Sequence, residues 1–341
     1  MKWLVLLAIY AFGFTRLAAT GRWGELVLSG GVVAVLAAFL FASALVRQSA
    51  TGEDILIRTQ TWCWMIAIFV LAATTHPVVP FVLLAFLSYV ALREYFSLLP
   101  MYRADEVLRP SDRAAIALAY LTVPLMYGLA YFGWYGLYII LIPVYASLAL
   151  PVVLVLANNP RGMLASMGAI ICGMSLFVFL FSHAALLTQL SPFLLFYAVL
   201  VTEARDVLAY CVGKLIGPLP FGWVHAAVAS NINPRKTWAA SAIAAVGCAL
   251  LSAALAPLMP QLPGGRPSPQ YLFWLGLGVG WLGLAGDLAT GAIKRDLHVK
   301  DTGHSLPGHG GVIDRINGVI FTVPVIFHLT YYRYFPGLLR L

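Results

Sequence analysis

The stretch MLASMGAIICGMSLFVFLFSHAALL, residues 163–187, contains no charged side chain. About 20 helical residues are enough to cross the roughly 30 Å hydrocarbon layer of a bilayer. A helix also satisfies its own backbone hydrogen bonds, which lipid cannot do. The stretch is therefore long enough and apolar enough to span a membrane as a helix.

The rest of the chain has the same character. Of its 341 residues, 61% are hydrophobic and 10% are charged, and the mean hydropathy is +0.89. This composition excludes a water-soluble globule, and the alternating segments of a membrane β-barrel are not seen. We predict an all-α polytopic integral membrane protein with about nine to eleven spans. These lie near residues 3–19, 26–46, 62–75, 78–92, 114–131, 134–157, 163–187, 192–212, 238–258, 271–293 and 316–335.

Basic residues are distributed unequally between the predicted loops. If residues 93–113 are cytoplasmic, alternation of the spans puts every dense basic loop on that side, as the positive-inside rule requires. The other cytoplasmic loops are then 47–61, 158–162, 213–237 and 294–315. We therefore expect the cytoplasmic (inner) membrane as location, with residues 1–190 as a scaffold of lipid-facing helices. Residues 191–341 would carry the catalytic loops on the cytoplasmic side.

Other features are interpreted without a special function. The N-terminus could pass for a secretory signal, but further spans follow at once, so we interpret it as an uncleaved helix. No basic run interleaved with aromatic residues indicates nucleic-acid binding. The single cysteines and scattered histidines are interpreted as packing or interfacial residues. They are Cys63, Cys172, Cys211, Cys248, His76, His183, His225 and His328.

The segment IKRDLHVKDTGHSLPGHGGVIDRING, residues 293–318, concentrates charge in an apolar chain. Just before it, Asp287 lies inside a predicted span, where a carboxylate is unfavourable without a cation, a partner or a water-filled cavity. On a helix, Asp287, Gly291 and Lys294 share one face, so a carboxylate and an ammonium project together. A charged loop of this kind either serves only as an orientation signal or forms part of a site. The carboxylate of Asp287 in the preceding span favours the second interpretation.

A second charged group occurs in VTEARDVLAYCVGKLIG, residues 201–217. Glu203, Arg205 and Asp206 lie there near the cytoplasmic end of a predicted span. They either pair with one another as a structural element or form a polar wall of an active site, and we favour the wall.

The following NINPRKTWAAS, residues 231–241, places two cations before the next predicted helix. These are Arg235 and Lys236, and Thr237 is suited to cap that helix. A helix N-terminus next to two cations favours a phosphate. Carboxylates with cations, around glycines that let a ligand approach the backbone, are what a magnesium–nucleotide site requires.

These residues resemble the phosphatidate cytidylyltransferase (CDP-diacylglycerol synthase) family. Residues 286–317, GDLATGAIKRDLHVKDTGHSLPGHGGVIDRIN, are similar to its C-terminal motif in the order and spacing of four elements. DVLAYCVGK and NPRKTW resemble two upstream elements, and ALREYFSLL, residues 91–99, loosely resembles an earlier helix that contains a glutamate. The resemblance is strong over residues 200–320.

The resemblance implies a membrane enzyme that joins CTP to phosphatidic acid, forming CDP-diacylglycerol and pyrophosphate with Mg²⁺, in a paired metal centre. It associates the metal with Asp287 and Asp314, and we add Asp301 as a third carboxylate. We assign Lys294 and Arg295 to phosphates, and His309 to orienting a phosphate or the pyrophosphate leaving group. The expected substrate-binding residues are Asp206, Lys214, Arg235, Lys236, Lys300, His304, Gly310, Gly311 and Arg315.

The sequence also departs from the family pattern at positions expected to face substrate. These are Leu208, Ala239, Ala240, Gly291 and Asn317. The departures indicate a divergent member and leave the identity of the lipid and the full rate open. Two other readings also stay open: a CTP-dependent lipid kinase of the polyprenol type, and a lipid-binding or transport paralogue without catalysis. The sequence leaves a homodimer open as well.

Overall fold

A computed structural model describes residues 2–45, 50–99, 110–156, 162–303, 305 and 310–335. Most of the described chain is helical and almost none of it is sheet, which confirms the all-α prediction. The helices are α1 (Lys2–Ala19), α2 (Trp23–Leu45), α3 (Ala50–Thr74), α4 (Val78–Leu98), α5 (Pro110–Phe132), α6 (Tyr135–Ile140), α7 (Ser147–Val155), α8 (Met163–Gly173), α9 (Phe181–Leu190), α10 (Pro192–Ile216), α11 (Trp238–Ala254), α12 (Pro269–Asp296) and α13 (Ile313–Tyr334). Single π-helical segments, Leu141–Ala146 and Met174–Leu180, join α6 to α7 and α8 to α9.

Ten helical stretches within the described ranges are long and apolar enough to cross a membrane. The chain is therefore a polytopic membrane protein. The predicted third span was short, near 62–75, whereas α3 begins at Ala50 and its apolar stretch covers Leu56–Thr74. Helix α10 covers the predicted span 192–212 and has 25 residues, but it is not among these ten stretches, because it carries Glu203, Arg205, Asp206 and Lys214.

The C-terminal helices pack closely because small residues face each other. A Cβ on Gly280 of α12 would lie 2.5 Å from Ala245 Cα in α11, and one on Gly286 would lie 2.3 Å from the Asn317 carbonyl oxygen in α13. Contacts between small residues let membrane helices approach at the backbone. Helix α12 is thereby fixed between α11 and α13, and its C-terminal end has a defined position.

Hydrogen bonds fix α10 against the same helices. The Tyr197 hydroxyl lies 2.6 Å from Ser252 Oγ in α11, and Thr202 Oγ1 lies 2.8 Å from Thr322 Oγ1 in α13. These contacts are buried, where a hydroxyl without a partner would be unfavourable. The charged second half of α10 is therefore brought to the end of the bundle at which α12 ends and α13 begins.

The sequence-predicted loop 213–237 contains an unpredicted β-hairpin. Strands β1 (Ala227–Ala229) and β2 (Asn233–Thr237) pair antiparallel, with Ala227 opposite Thr237. Strands this short contain too few residues for an alternating hydrophobic pattern to be recognised. At the end of β2, Thr237 Oγ1 accepts a hydrogen bond of 3.3 Å from the Ala240 N–H, which confirms Thr237 as the N-cap of α11.

Candidate active site

A polar cavity of about 420 Å³ lies where α10, the β-hairpin, the end of α12 and the start of α13 converge. Its walls carry many carboxylates and cations, although the surrounding helices are apolar. The lining residues are Glu203, Asp206, Ile232, Asn233, Lys236, Asp287, Thr290, Gly291, Lys294, Arg295, Val299, Lys300, Asp301, Asp314, Arg315 and Asn317. A cavity of this size can accommodate a small charged ligand.

The carboxylate of Asp287 accepts hydrogen bonds from two cationic side chains on one side of the cavity. Arg205 Nη2 lies 2.5 Å from Asp287 Oδ2, and Lys236 Nζ donates to the same oxygen. Arg205 Nη2 also lies 2.9 Å from Asp206 Oδ1, and Lys236 Nζ lies 3.6 Å from that oxygen. Two carboxylates and two cations therefore form one network between α10, α12 and the hairpin.

Arg205 is the most deeply placed member of this network, with 1% of its surface exposed. Its guanidinium fits beside α12 because position 283 is glycine: a Cβ there would lie 3.1 Å from Arg205 Nε. Arg205 Nε and Nη1 have no hydrogen-bond partner among the residues that the structure describes. The sequence left open whether the charges of α10 form an ion pair or a cavity wall; Arg205 pairs with aspartates, while Glu203 and Asp206 line the cavity.

Asp314 forms a second network near the start of α13. Lys294 Nζ donates to Asp314 Oδ1 over 2.7 Å. Asp314 Oδ2 accepts from the Thr302 N–H and from Thr302 Oγ1, both at 3.0 Å, and from the Gly311 N–H at 3.2 Å. The loop between α12 and α13 contains Gly303, Gly310 and Gly311, and we call it the glycine-rich loop. Its backbone N–H groups orient Asp314 through Oδ2, while Oδ1 accepts from Lys294.

The side chain of Arg295 supports the hairpin. Arg295 Nε donates to the Ile232 carbonyl oxygen over 3.3 Å, at the turn between β1 and β2. Gly291 of α12 packs against the same turn, since a Cβ on it would lie 3.1 Å from Ile232 Cγ2. The hairpin turn therefore rests on the end of α12, next to the cavity.

Most of the sequence-predicted site residues lie together on the wall of this cavity. They are Asp206, Lys236, Asp287, Lys294, Arg295, Lys300, Asp301, Asp314 and Arg315. Gly310 and Gly311 lie against Asp314, since a Cβ on Gly310 would lie 2.8 Å from Asp314 Oδ2 and the Gly311 N–H donates to that oxygen. His304 and His309 lie outside the described residues, so their roles stay predictions.

Lys214 and Arg235, which were also predicted, neither line the cavity nor lie against its carboxylates. Lys214 follows Asp206 by eight residues, about 12 Å along the helix axis, and its ammonium lies 4.7 Å from the centre of the Tyr210 ring. Arg235 is adjacent to Lys236 in β2, where successive side chains point to opposite faces; Arg235 is exposed while Lys236 lines the cavity.

Of the positions that depart from the family pattern, Gly291 and Asn317 line the cavity. Leu208 instead packs against α11, where a Cβ on Gly247 would lie 3.0 Å from Leu208 Cδ1. Ala239 and Ala240 are buried in the first turn of α11. The substitutions closest to a ligand in the cavity are therefore those at positions 291 and 317.

Several residues of the site had no individual role in the sequence prediction. Glu203 and Arg205 were predicted only as part of a polar wall, because charges inside a predicted span are unusual. Ile232, Asn233 and Thr290 carried no signal, since they reach the cavity only through the fold. Glu94 in α4 had a weak signal and is bound to the loop that follows Lys300: its Oε1 accepts from Ser305 Oγ over 2.5 Å.

The donor set fits a hard divalent cation bound together with phosphate. Mg²⁺ is usually bound by one or two carboxylates, water and substrate phosphates, not by a complete protein cage. Within the described ranges, no three Asp, Glu, His or Cys side chains converge on a point that could hold a metal ion. Asp287 and Asp314 line one cavity and carry carboxylate oxygens of the kind that such a shared site uses.

The fold and the cavity together define a polytopic membrane protein with a charged site at one end of its helix bundle. The sequence matches the Cytidylyltransferase family over residues 56–333, and the chain therefore belongs to this family. The match reaches well beyond residues 200–320, where the motifs lie, and includes α4.

Individual relatives match different portions of the chain. The chain is 37% identical to the phosphatidate cytidylyltransferase of Bacillus subtilis over 136 residues, which are 40% of this chain and 46% of the relative. It is 36% identical to the phosphatidate cytidylyltransferase of Synechocystis over 125 residues, 37% of this chain and 39% of that protein. An Escherichia coli protein described as uncharacterized protein YnbB is 29% identical over 314 residues, 88% of this chain and 97% of that protein.

Proposed function

We propose that this protein transfers CMP from CTP to phosphatidic acid, or to a close lipid phosphate, and releases pyrophosphate. The observation that carries the proposal is the cavity in which Asp287 and Asp314 lie with lysines and arginines between membrane helices. Membership of the Cytidylyltransferase family supports the nucleotide, and the two relatives named phosphatidate cytidylyltransferase support the lipid phosphate.

The reaction joins two anions, so charge neutralisation and alignment are its main requirements. An oxygen of the lipid phosphate attacks the α-phosphorus of CTP, and the bond from that phosphorus to the bridging oxygen of the β-phosphate breaks. Pyrophosphate leaves with the bonding electrons, and CDP-diacylglycerol remains in the membrane. The lipid phosphate is already ionised, so the protein need not supply a strong general base.

The carboxylates of Asp287 and Asp314 would hold Mg²⁺, and Asp301 would bind the metal or its water shell. Bound Mg²⁺ would neutralise phosphate charge and make the α-phosphorus more electrophilic. Asp314 is suited to this role because loop hydrogen bonds fix its orientation through Oδ2. Asp287 is held in the same way by Arg205, which is buried and pairs with Asp287 Oδ2.

The lysines and arginines of the cavity would bind the phosphates. Lys236 pairs with Asp287, and Lys294 with Asp314. A cation of the metal–nucleotide complex can take the place of each ammonium at the carboxylate, while the ammonium moves to a phosphate oxygen. Lys300, Arg295 and Arg315, on the same wall, would bind the remaining phosphate charge.

The protein would lie in the cytoplasmic membrane, with its active site facing the cytoplasm. The distribution of Lys and Arg between the loops supports this orientation. CTP is a cytoplasmic metabolite that does not cross membranes unaided. The lipid phosphate would be taken from the same leaflet.

Purified protein in lipid nanodiscs, supplied with radiolabelled CTP, Mg²⁺ and phosphatidic acid, tests the proposal directly. Labelled CDP-lipid with equimolar pyrophosphate is the expected result. CDP with a newly phosphorylated lipid alcohol, when such an alcohol is supplied, would replace the proposal by a lipid kinase. Absence of turnover with every lipid phosphate offered, from protein that is folded by thermal unfolding, would contradict it.

A further inference from the structure

Glu94 joins the N-terminal half of the chain to the loop between α12 and α13. It lies near the end of α4, and only 7% of its surface is exposed. Its Oε1 accepts from Ser305 Oγ over 2.5 Å, and its Oε2 accepts from the Ile313 N–H over 3.2 Å. One carboxylate therefore binds this loop at two points, eight residues apart in the sequence.

The loop lies directly on this carboxylate. A Cβ on Gly311 would lie 2.5 Å from Glu94 Oε2, and one on Gly303 would lie 3.0 Å from Glu94 Oε1. Real Cβ atoms are not found at the first of these distances from an oxygen, so glycine is needed at position 311 for the backbone to approach. Glycine at positions 303 and 311 therefore lets the backbone approach both oxygens of Glu94.

The same parts of the loop hold Asp314. The N–H groups of Thr302 and Gly311 both donate to Asp314 Oδ2. Thr302 is next to Gly303, and Gly311 is two residues before Ile313 in the sequence. The donors that orient Asp314 thus alternate along the chain with the groups that contact Glu94.

A buried carboxylate is unfavourable unless hydrogen bonds replace its lost hydration. Hydrogen bonds to an ionised carboxylate are also stronger than those to a neutral acceptor. Glu94 obtains donors from Ser305 and Ile313, so detaching the loop would leave the carboxylate without these bonds. The free energy that favours burial of Glu94 therefore also favours attachment of Ser305 and Ile313 to its carboxylate.

We propose that Glu94 is a positioning residue for the reaction: it fixes the glycine-rich loop so that the loop's N–H groups orient Asp314 toward the metal–nucleotide complex. This role rests on the proposed function, because it assumes that Asp314 acts on the phosphates. Glu94 itself does not line the cavity, so it acts only through the loop.

Hydrogen–deuterium exchange of the full chain in nanodiscs tests the first half of this role without any turnover. We compare the wild type with Glu94→Gln and with Glu25→Gln. Glu25 is a matched control: it is a glutamate with 8% exposure in α2 whose Oε1 lies 3.1 Å from Arg22 Nε. In Glu94→Gln the amide oxygen can still accept from the Ile313 N–H, but the amide N–H2 replaces the oxygen that accepted from Ser305 Oγ, and the negative charge is lost.

Peptides that cover residues 299–316 should exchange about tenfold faster in Glu94→Gln, because local opening becomes easier. The same peptides should be unchanged in Glu25→Gln. Unchanged exchange in Glu94→Gln, or equal acceleration in the control, would overturn the proposal.

Kinetics test the second half. We expect Glu94→Gln to lower kcat about tenfold or more at saturating CTP and Mg²⁺, with the melting temperature and the KM for phosphatidic acid near wild type. Ser305→Ala should lower kcat less, and the double variant should fall short of the product of the two effects, because both residues act through one loop. A loss of activity that only follows the fraction of folded protein would overturn the role.

The two proposals can fail separately. If the wild type forms no CDP-lipid, the proposed function fails while the exchange experiment still decides whether Glu94 orders the loop. If the wild type is active and Glu94→Gln leaves both exchange and kcat unchanged, only the positioning role fails.

Discussion

Lys294 and Asp314 join the end of one helix to the start of the next: Nζ of the lysine lies 2.7 Å from Oδ1 of the aspartate. Lys294 also shares a face of α12 with Asp287, which pairs with Lys236 on the hairpin. Asp287 and Asp314 are therefore each paired with a lysine from another part of the chain. Removing the charge of either aspartate should therefore leave one identifiable lysine without its partner.

Asp287→Asn and Asp314→Asn should each lower turnover about 10²- to 10³-fold, the range found for single groups that stabilise transition-state charge. The amide keeps the size of the side chain but binds Mg²⁺ poorly. Formation of CDP-lipid is measured over a range of Mg²⁺ concentrations, beside thermal unfolding in detergent.

If these carboxylates served only as intramembrane ion pairs, the same variants should first lose stability, because a cation would stay buried without a partner. A well-folded Asp287→Asn protein with near-normal, magnesium-dependent turnover would refute the metal assignment.

Arg295→Ala should lower turnover about tenfold more than Arg295→Lys, a difference of about 1.4 kcal/mol in activation free energy. Lysine keeps the positive charge at the cavity wall and loses the planar guanidinium. Both variants disturb the contact from Arg295 Nε to the Ile232 carbonyl oxygen. Steady-state kinetics at varied CTP separate the two contributions; equal losses would indicate that the hairpin contact, and not the charge, is what matters.

Cysteines introduced at Arg235 and at Lys300 should be labelled by a membrane-impermeant maleimide only from the cytoplasmic side. A cysteine at Arg266 should be labelled only from outside. Lys300 and Lys236, the neighbour of Arg235, line one cavity, and residues across a bilayer would be about 30 Å apart. Because native Cys211 is exposed, the variants are made in a Cys211→Ser background. Labelling of positions 235 and 300 from opposite sides would contradict a shared site.

Gly280→Ala should destabilise the protein by about 1–3 kcal/mol, the usual range for an overpacked contact. The added Cβ would lie 2.5 Å from Ala245 Cα, a backbone atom that cannot move without shifting α11. Gly278→Ala is the control, since a Cβ at Gly278 would have no neighbour within 4 Å among the described residues. Unfolding in detergent should separate the two variants, and equal stabilities would contradict close packing of α11 on α12.

The sequence was sufficient to predict the helices and most of the cavity wall, because both depend on local patterns. Apolar runs mark the spans, and Asp287 was recognisable as a charge that lipid alone would not stabilise. Ile232 and Thr290 carried no such signal, since an apolar residue and a threonine occur in any loop or helix. Glu94 lies 219 residues before Ile313, and only the packing of α4 brings the two together.

The balance of charge on the cavity wall has a consequence for the rate at which a nucleotide binds. Five acidic and five basic side chains line the cavity, so their formal charges cancel. A site with charges of one sign attracts its ligand over a distance and loses that attraction as salt is added. Here the cavity wall itself attracts a ligand mainly at contact, when existing pairs exchange partners, and only the basic residues outside the wall act over a distance. The association rate constant for the magnesium–nucleotide complex should therefore vary little with ionic strength.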